Sequence, residues 1–309
     1  MVPSPSARRL KTASSTTSSS SAEAACLLRR RQSCRRRPPP HQDPRTTTTK
    51  DFAMASRQFH PERTEPPADL WLNRLIAEGK TAALPPSITA ADKGGKFSTD
   101  GTVLPYPGNT FICHVDKSAP EFDILCQLQD DIRKLPAADY FSFLPHESLH
   151  MTVFCGVSGN PLTTDGWPEN VAEDVSLTDI TDYFYKAAMT LNGFEGVTVR
   201  ADHLKAGYSI HAEPADQESF DALWQMRDAL RAVTGLARTD HDSYQFHISF
   251  GYRIARMPMP KAEEHIAAVT ALFEAAAPKL QAIRLGPVEF CTFENMHHFE
   301  PIARLFPKR

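Results

Sequence analysis

Apolar side chains recur with helical spacing in two segments of the chain that also share residue identities. Residues 122–133 read FDILCQLQDDIR and residues 220–231 read FDALWQMRDALR, with six of the twelve aligned positions identical. A strand-like run precedes each segment, at 109–115 and at 208–214, where β-branched and aromatic residues are concentrated. Because the context repeats together with the amphipathic helix, the pattern indicates an internal duplication.

A further strand-like run follows each of these helices, SLHMTVF after the first and YQFHISF after the second. A second helix and a second strand are predicted after both, at 177–191 and 195–203 and again at 260–276 and 284–293. Each half thus has a β-α-β-α-β pattern. The sequence predicts an α+β protein of two duplicated lobes, with mainly antiparallel sheets around a central cleft and helices outside.

Composition separates this duplicated region from what precedes it. The first residues are rich in Ser, Thr, Arg and Pro, and they carry too little apolar surface to offset the entropy of ordering. A proline-initiated helix is predicted from about residue 66, and Asp100-Gly101 is typical of a hairpin turn. The predicted boundaries are 1–57 for a disordered basic tail, 58–104 for a helix and hairpin extension, and 105–309 for the duplicated domain, with halves of about 105–203 and 204–309.

The formal net charge of −3 hides an uneven distribution, since residues 1–50 hold eleven Lys and Arg against Glu23 and Asp43. The rest of the chain is acidic. That balance argues against binding duplex DNA or coating long RNA, which requires many phosphates to be neutralised, and leaves a nucleotide or an RNA end as the expected partner. The basic tail has three interpretations: an organellar transit peptide, a nuclear signal, or a dispensable extension before an alternative start at Met54.

The six cysteines form no C-x-x-C pair, and no secretory leader is recognised before them. We therefore expect reduced thiols in an intracellular protein, cytoplasmic unless the tail directs it to the nucleus or the mitochondrion. No apolar run approaches the roughly 18 residues that span a bilayer, so no membrane association is expected. The oligomeric state is left open, and a monomer is compatible with the sequence.

The stretch PHESLHMTVF, residues 145–154, has two interpretations that lead to different enzymes. His146-Glu147-x-x-His150 matches the zinc-protease pattern, and Glu169 stands at the spacing of a third ligand. That pattern requires a continuous helix. A proline directly precedes the first histidine, however, and the MTVF run that follows favours a strand.

The duplication favours the other interpretation. An offset of 97 residues places His247 on His150 and Ser249 on Thr152, whereas His146 falls on a serine. The repeated unit is therefore His-x-Thr/Ser, and the zinc hydrolase becomes the weaker alternative. Side chains two apart on a strand share one face, so each unit presents an imidazole and a hydroxyl together, about 6.5 Å apart.

Two imidazoles and two hydroxyls around one cleft suit attack at phosphorus. An in-line displacement needs a base on the entering oxygen and an acid on the leaving oxygen, and histidine fills both roles near neutral pH. Hydroxyl groups can donate to the non-bridging oxygens, where charge must be held in the transition state. This scheme calls for no cofactor and no metal ion.

With these motifs the chain resembles the 2H phosphoesterase superfamily, which includes 2′,3′-cyclic nucleotide phosphodiesterases, 2′-5′ RNA ligase-like proteins and an RNA-processing exonuclease. The resemblance covers about residues 105–306, and LHMTVFCGV and WPENV further resemble an uncharacterised microbial and fungal branch. It implies a hydrolase of phosphoric diesters, with a 2′,3′-cyclic phosphate as the first candidate substrate. It also implies that His247 is the base, that His150 is the acid, and that Thr152 and Ser249 bind the phosphate.

Two aromatic residues near the motifs are candidates for the substrate pocket. Phe154 lies on the His150 face by strand parity and could stack a base, although a lone aromatic is more often core. Tyr252 falls on the opposite face by the same counting. A rival from another functional class is a non-catalytic module that binds a nucleotide or an RNA end with the same clamp.

Overall fold

The computed structural model describes residues 57–64, 68–77, 84–85, 88, 95–159, 162, 166–206 and 208–308. The predictions for the basic tail and for a start at Met54 fall outside the described residues, apart from Arg57 at the end of that segment. Within the described part of the chain, no helix has both the length and the apolar composition needed to cross a membrane.

The predicted helices and strands of the duplicated domain occur in the predicted order, although the strand predicted at 284–293 is two strands, β8 and β9, and strands β2, β7 and β10 were not predicted. The helices are α1 (Ala68–Leu75), α2 (Pro120–Arg133), α3 (Leu177–Ala188), α4 (Gln217–Thr234) and α5 (Met259–Ala276). The strands are β1 (Gly108–His114), β2 (Phe141–Phe143), β3 (His150–Ser158), β4 (Thr198–Lys205), β5 (Ser209–Pro214), β6 (His247–Ser249), β7 (Gly251–Arg253), β8 (Ile283–Arg284), β9 (Val288–Asn295) and β10 (His298–Leu305).

The strands β10-β9-β1-β3-β6-β5-β4-β8 form one eight-stranded sheet, and β2 pairs with β7 in a separate ribbon. All of the strand pairs within these two sheets are antiparallel. The predicted α+β class with mainly antiparallel sheets is confirmed. The two lobes are joined through a single bridge between β3 and β6, Met151 to Ile248.

The two sequence halves exchange strands within this sheet. Strand β4 comes from the first half but lies between β5 and β8, which belong to the second. Strand β9 comes from the second half and pairs with β1 of the first. Each lobe is therefore built from both halves of the chain, so neither half can complete its own four strands.

The duplicated helices α2 and α4 contain the two matched sequence segments, and both pack their apolar side on the sheet. Helix α2 starts at Pro120, where a missing N–H costs nothing, and α4 is capped by Asp216, whose side chain accepts from the Ser219 amide. Gly235 ends α4 in the left-handed region, at φ 68°. The main core lies between these helices and one face of the sheet, which leaves the other face for chemistry.

The segment before the duplicated domain packs on that other face. Phe97 and Val103 form an antiparallel bridge around the predicted turn, where Gly101 has φ 85°. Phe97 belongs to a second apolar cluster that also contains Ile112, Tyr252 and Phe299. This cluster borders the junction of the two lobes and shapes the cleft there.

Candidate active site

The four residues of the two His-x-Thr/Ser motifs lie on one face of the sheet at the junction of the lobes. In β3 the alternation places Met151 in the main core and leaves His150 and Thr152 half-buried on the opposite side. Strand β6 repeats the pattern, with Ile248 in the core and His247 and Ser249 opposite. Because Met151 and Ile248 are direct partners, the structure brings the two motifs together on adjacent strands.

The antiparallel register places the four side chains at the corners of a square, with the two histidines on one diagonal. With Met151 paired to Ile248, His150 stands opposite Ser249, and Thr152 stands opposite His247. Each imidazole therefore faces a hydroxyl across the strands, and the two imidazoles occupy opposite corners about 7 Å apart. A phosphate at the centre of such a square would meet one imidazole on each side.

Both motif histidines are held in the same tautomer by the same local bond. The Nδ1 of His150 lies 2.6 Å from the carbonyl oxygen of Ser148, and the Nδ1 of His247 lies 2.9 Å from that of Gln245. A carbonyl oxygen can only accept, so Nδ1 carries the hydrogen in each ring. That leaves Nε2 of both rings as the nitrogen that exchanges protons.

The cleft also lowers the pKa of both imidazoles. Burial is the largest cause for each and brings the pKa of His150 and of His247 from 6.5 to about 4. Nearby positive or titratable groups act in the same direction, His114 and His247 on His150, and Lys205 on His247. Both rings are therefore neutral at pH 7 in the ligand-free protein.

These lowered pKa values predict that acid weakens the fold through the two motif histidines. Between pH 6.5 and 4 the unfolded chain binds protons that the folded chain does not, so the free energy of unfolding falls as the pH falls through that window. Urea unfolding at pH 7, 5.5 and 4.5 measures the effect. We expect a smaller loss in a variant carrying both His150→Gln and His247→Gln, and an unchanged loss would contradict this account.

Equivalent helix positions brace the two reactive strands, each from the other half of the chain. Arg227 in α4 is 1% exposed and donates to the carbonyl oxygen of Val153, the residue after the first motif. Gln129 in α2 is fully buried and donates at 2.7 Å to the carbonyl oxygen of Phe250, the residue after the second. The guanidinium has carbonyl acceptors and aromatic rings around it, with Tyr244 3.9 Å away.

The brace at Val153 coincides with a β-bulge, and this corrects the prediction for Phe154. Opposite β1 the register shifts by one residue between Thr152 and Phe154, so one residue of β3 is extra. The shift reverses the facing of the next residues, up to a second register shift between Cys155 and Ser158. Phe154 is 1% exposed and packs in the main core, so the prediction that it could stack a substrate base is wrong. Cys155 takes its place on the cleft side.

Tyr252 shows the opposite outcome for the same physical reason. Strand β6 ends at Ser249 and β7 begins at Gly251, so the alternation is interrupted at Phe250. Counting parity across that break had placed Tyr252 away from His247. In the structure Tyr252 lines the cleft, where its ring lies 5.0 Å from that of Phe97.

A cavity of about 260 Å³ opens on the first motif. His150 and Thr152 line it, together with the aromatic Phe299, whose ring centroid is 4.4 Å from that of His150. Lys96 and Arg238 supply positive charge to its wall. His247 and Ser249 are not among its lining residues; they lie beside it on β6. A larger groove of about 980 Å³ shares Phe299 and runs past His114.

A second duplicated pair of histidines stands behind the first, and sequence reasoning missed it. His114 on β1 is the direct partner of His150, and His211 on β5 is the direct partner of His247. The same offset of 97 residues that relates the motifs also relates these two, so the signal was present in the aligned strands. The Nδ1 of His114 bonds to buried Glu289 at 2.5 Å.

The zinc-protease interpretation of PHESLHMTVF is wrong. His146–Ser148 form one turn of 3-10 helix, and strand β3 begins at His150, so the continuous helix that the pattern requires is absent there. His146 instead bonds to Asp130 at 3.1 Å. Across the described residues, the group whose spacing would suit a metal ion is a different one, Asp202 with His203 and His211.

The chain is similar to known proteins in three comparisons. A family model described as "2H-phosphodiest: Domain of unknown function (DUF1868)" matches residues 96–205. "Uncharacterized protein 127L" of Invertebrate iridescent virus 6 is 23% identical over 230 residues, which cover 69% of this chain and 93% of that protein. The crystal structure of the conserved protein of unknown function ATU0111 from Agrobacterium tumefaciens has a TM-score of 0.65 at 25% identity, covering 75% of this chain and 97% of that one.

Proposed function

We propose that this chain, which a 2H-phosphodiesterase family model matches over residues 96–205, acts as a 2H phosphoesterase and hydrolyses a cyclic phosphodiester at a nucleotide or an RNA end. The observation that carries this proposal is the pairing of two equivalent units, His-x-Thr and His-x-Ser, on adjacent strands, each ring with its Nδ1 bound to a carbonyl. Acid-base chemistry at phosphorus uses two such groups on opposite sides of the reacting atom.

The proposed reaction opens a 2′,3′-cyclic phosphate. Neutral His247 takes a proton from water through Nε2 as the water oxygen attacks phosphorus. His150, protonated in the complex, gives a proton to the departing ribose oxygen as the P–O bond breaks, which leaves a phosphomonoester and a free hydroxyl. Thr152 and Ser249 donate hydrogen bonds to the non-bridging oxygens throughout. A metal ion has no part in these steps.

A negatively charged substrate would favour the protonated imidazole that the reaction needs as its acid. Both imidazoles are neutral at pH 7 because burial lowers their pKa to about 4, yet the acid must carry a proton. An anionic phosphate between the rings favours the charged form and raises the pKa of an adjacent imidazole. Substrate binding and protonation of the acid are therefore coupled, and the two rings titrate as a pair.

The surroundings of the first motif support a nucleotide rather than a peptide or a sugar alone. Tyr252 and Phe299 offer aromatic faces on which a base can stack, and Lys96 and Arg238 offer positive charge for phosphate. The cavity is at the small end of ligand pockets, which suits a single nucleotide unit. The adjoining groove of about 980 Å³ would hold the preceding residues of an RNA end.

We also infer that the protein acts inside the cell. The described cysteines Cys113, Cys126, Cys155 and Cys291 are all free thiols. Burial raises the pKa of Cys113 well above its ordinary value and that of Cys126 to about 11, so both stay protonated and unreactive. A reducing compartment, with the cytoplasm as the first candidate, suits such a chain.

The proposal is tested by incubating the purified full-length chain with the four 2′,3′-cyclic nucleotides and with short RNAs ending in a cyclic phosphate. We expect conversion to a phosphomonoester that persists when EDTA is added to the assay. Product analysis by chromatography also shows which ester oxygen departs. Failure to turn over any of these substrates would overturn the proposal, and tight binding without turnover would favour a non-catalytic module.

A further inference from the structure

Three potential metal ligands converge on strands β4 and β5, and β5 is the direct neighbour of the motif strand β6. The Nδ1 of His203 lies 2.9 Å from Oδ2 of Asp202, and the Nδ1 of His211 lies 3.6 Å from the same oxygen. The two Nδ1 atoms are 3.4 Å apart. These three atoms form a compact triangle.

We propose that this triangle is a zinc site. Zn²⁺ takes imidazole nitrogen and carboxylate oxygen at about 2.0–2.1 Å in a tetrahedron, which places neighbouring ligand atoms about 3.3 Å apart. The observed separations of 2.9, 3.4 and 3.6 Å bracket that edge length. Two nitrogens and one oxygen match the donor preference of zinc better than that of Mg²⁺ or Ca²⁺, which bind oxygen.

A hydrogen-bonded network explains the triangle less completely. Only one hydrogen can lie between the two Nδ1 atoms of His203 and His211, so one ring must turn a lone pair toward the other. Oδ2 of Asp202 already accepts from the hydroxyl of Thr64 and from His203. If the shared hydrogen is released, both Nδ1 atoms present lone pairs beside the carboxylate, and this is the donor set that a divalent cation requires.

A β-bulge makes the convergence possible. Adjacent residues of a regular strand point to opposite faces, which would separate Asp202 from His203. The register between β4 and β5 shifts by one residue between Ala201 and His203, so Asp202 is the extra residue of β4. The bulge turns both side chains toward His211, which is the direct partner of His203 on β5.

An outer layer of contacts fixes the three ligands, as it does in known zinc sites. The backbone amide of Thr64 donates to Asp202 Oδ1 at 3.0 Å, and its hydroxyl donates to Oδ2. On the far side of its ring, His211 presents Nε2 to Glu213 Oε1 at 3.0 Å. The indole of Trp71 packs on His203, with ring centroids 5.5 Å apart. Asp202 is fully buried beneath these groups.

The equivalent place in the first half is built differently. There His114 meets Glu289, but the second oxygen of that carboxylate accepts from Arg304 at 2.7 Å. Asp202 likewise has an arginine at its second oxygen, since Nη2 of Arg200 lies 3.5 Å from Oδ1. The difference is that, within the described residues, His203 has no histidine counterpart beside His114 and Glu289. Among the residues that the structure describes, only the second half offers the triangle, and one ion per chain is expected.

A bound ion would fasten the N-terminal segment to the sheet. Thr64 of that segment holds Asp202 through its amide and its hydroxyl. Three protein ligands leave one tetrahedral position for a water molecule. The site lies behind His247 through His211, not between the motif histidines, so its role is structural. The inference is independent of the proposed hydrolysis.

The experiment uses the full-length chain, stripped with chelator, dialysed and titrated separately with Zn²⁺ and Co²⁺. We expect about one ion per chain, a visible spectrum of tetrahedral Co²⁺, and a higher Tm with Zn²⁺. His203→Asn and His211→Asn should each weaken binding at least tenfold. His241→Asn is the matched control, since that buried histidine also bonds to an aspartate, Asp228, at 2.8 Å.

Further results separate this site from the proposed active site. His247→Ala should retain the full zinc content, because the ring is outside the triangle, whether or not the protein hydrolyses anything. Absence of stoichiometric zinc binding by the wild-type chain, or binding that survives both ligand substitutions, would overturn the proposal. If either ligand variant fails to fold, the Co²⁺ spectrum and the Tm shift of the wild-type chain still decide it.

Discussion

His247→Ala and His150→Ala are each expected to lower kcat by about a thousandfold on a 2′,3′-cyclic nucleotide, since general acid-base catalysis contributes roughly 10²–10⁴. The two rings act as one unit on entering and leaving oxygens. The double variant should therefore be little worse than either single variant. Initial rates under saturating substrate, with folding checked by circular dichroism, measure the effect.

His146→Ala is the matched control for these substitutions. His146 lies four residues before His150, but it bonds to Asp130 and is not one of the four residues of the two motifs. We expect its kcat to stay within about twofold of wild type. Loss of activity in His146→Ala, or full activity in His247→Ala, would be incompatible with the proposed roles.

Gly156→Ala is expected to reduce the free energy of unfolding by about 3 kcal/mol, through steric overlap and a lost hydrogen bond. A Cβ at Gly156 would lie 1.9 Å from Oδ1 of Asn109 and 2.5 Å from its carbonyl oxygen. Asn109 is 1% exposed, and its Oδ1 accepts from the Val157 amide at the second bulge of β3. Neither the side chain nor the backbone can withdraw without leaving a buried polar group unpaired.

Urea denaturation of Gly156→Ala beside Gly286→Ala tests this expectation. A Cβ at Gly286 would meet only the His114 carbonyl oxygen, at an ordinary 3.4 Å, so its stability should change by less than about 1 kcal/mol. The two glycines give the same chemical change in different surroundings. Equal stability of the two variants would show that β3 adjusts more easily than the contacts indicate.

The duplication made the central part of this molecule predictable from sequence. Matching helices, strands and His-x-Thr/Ser units at offsets of 97 to 99 residues predicted the fold class and predicted that His150 and His247 lie close together. The offset of 97 residues that aligns the motifs also aligns His114 with His211, and attention to it would have identified the second pair as well. Repeated position was a stronger signal than any local motif.

What could not be predicted depends on where the strands depart from regular alternation. Bulges opposite Phe154 and at Asp202, and a break at Phe250, each reverse the facing of the next residue. Groups distant in sequence can stabilise a bulge: Arg227, for example, donates to the carbonyl oxygen of Val153. The local sequence around these positions does not predict the bulges or the break. Counting strand alternation therefore placed Phe154 and Tyr252 on the wrong faces, and it did not predict the cluster around Asp202.

The crossed braces of the two helices have a consequence for any attempt to divide this protein. Arg227 supports the strand of His150, and Gln129 supports the end of the strand of His247, so each half carries the other's brace. A fragment ending near residue 203 would contain the strand of His150 without Arg227, and Gln129 without the strand of His247. The two halves, produced separately and mixed, would form the site only by associating with each other, that is, by fragment complementation.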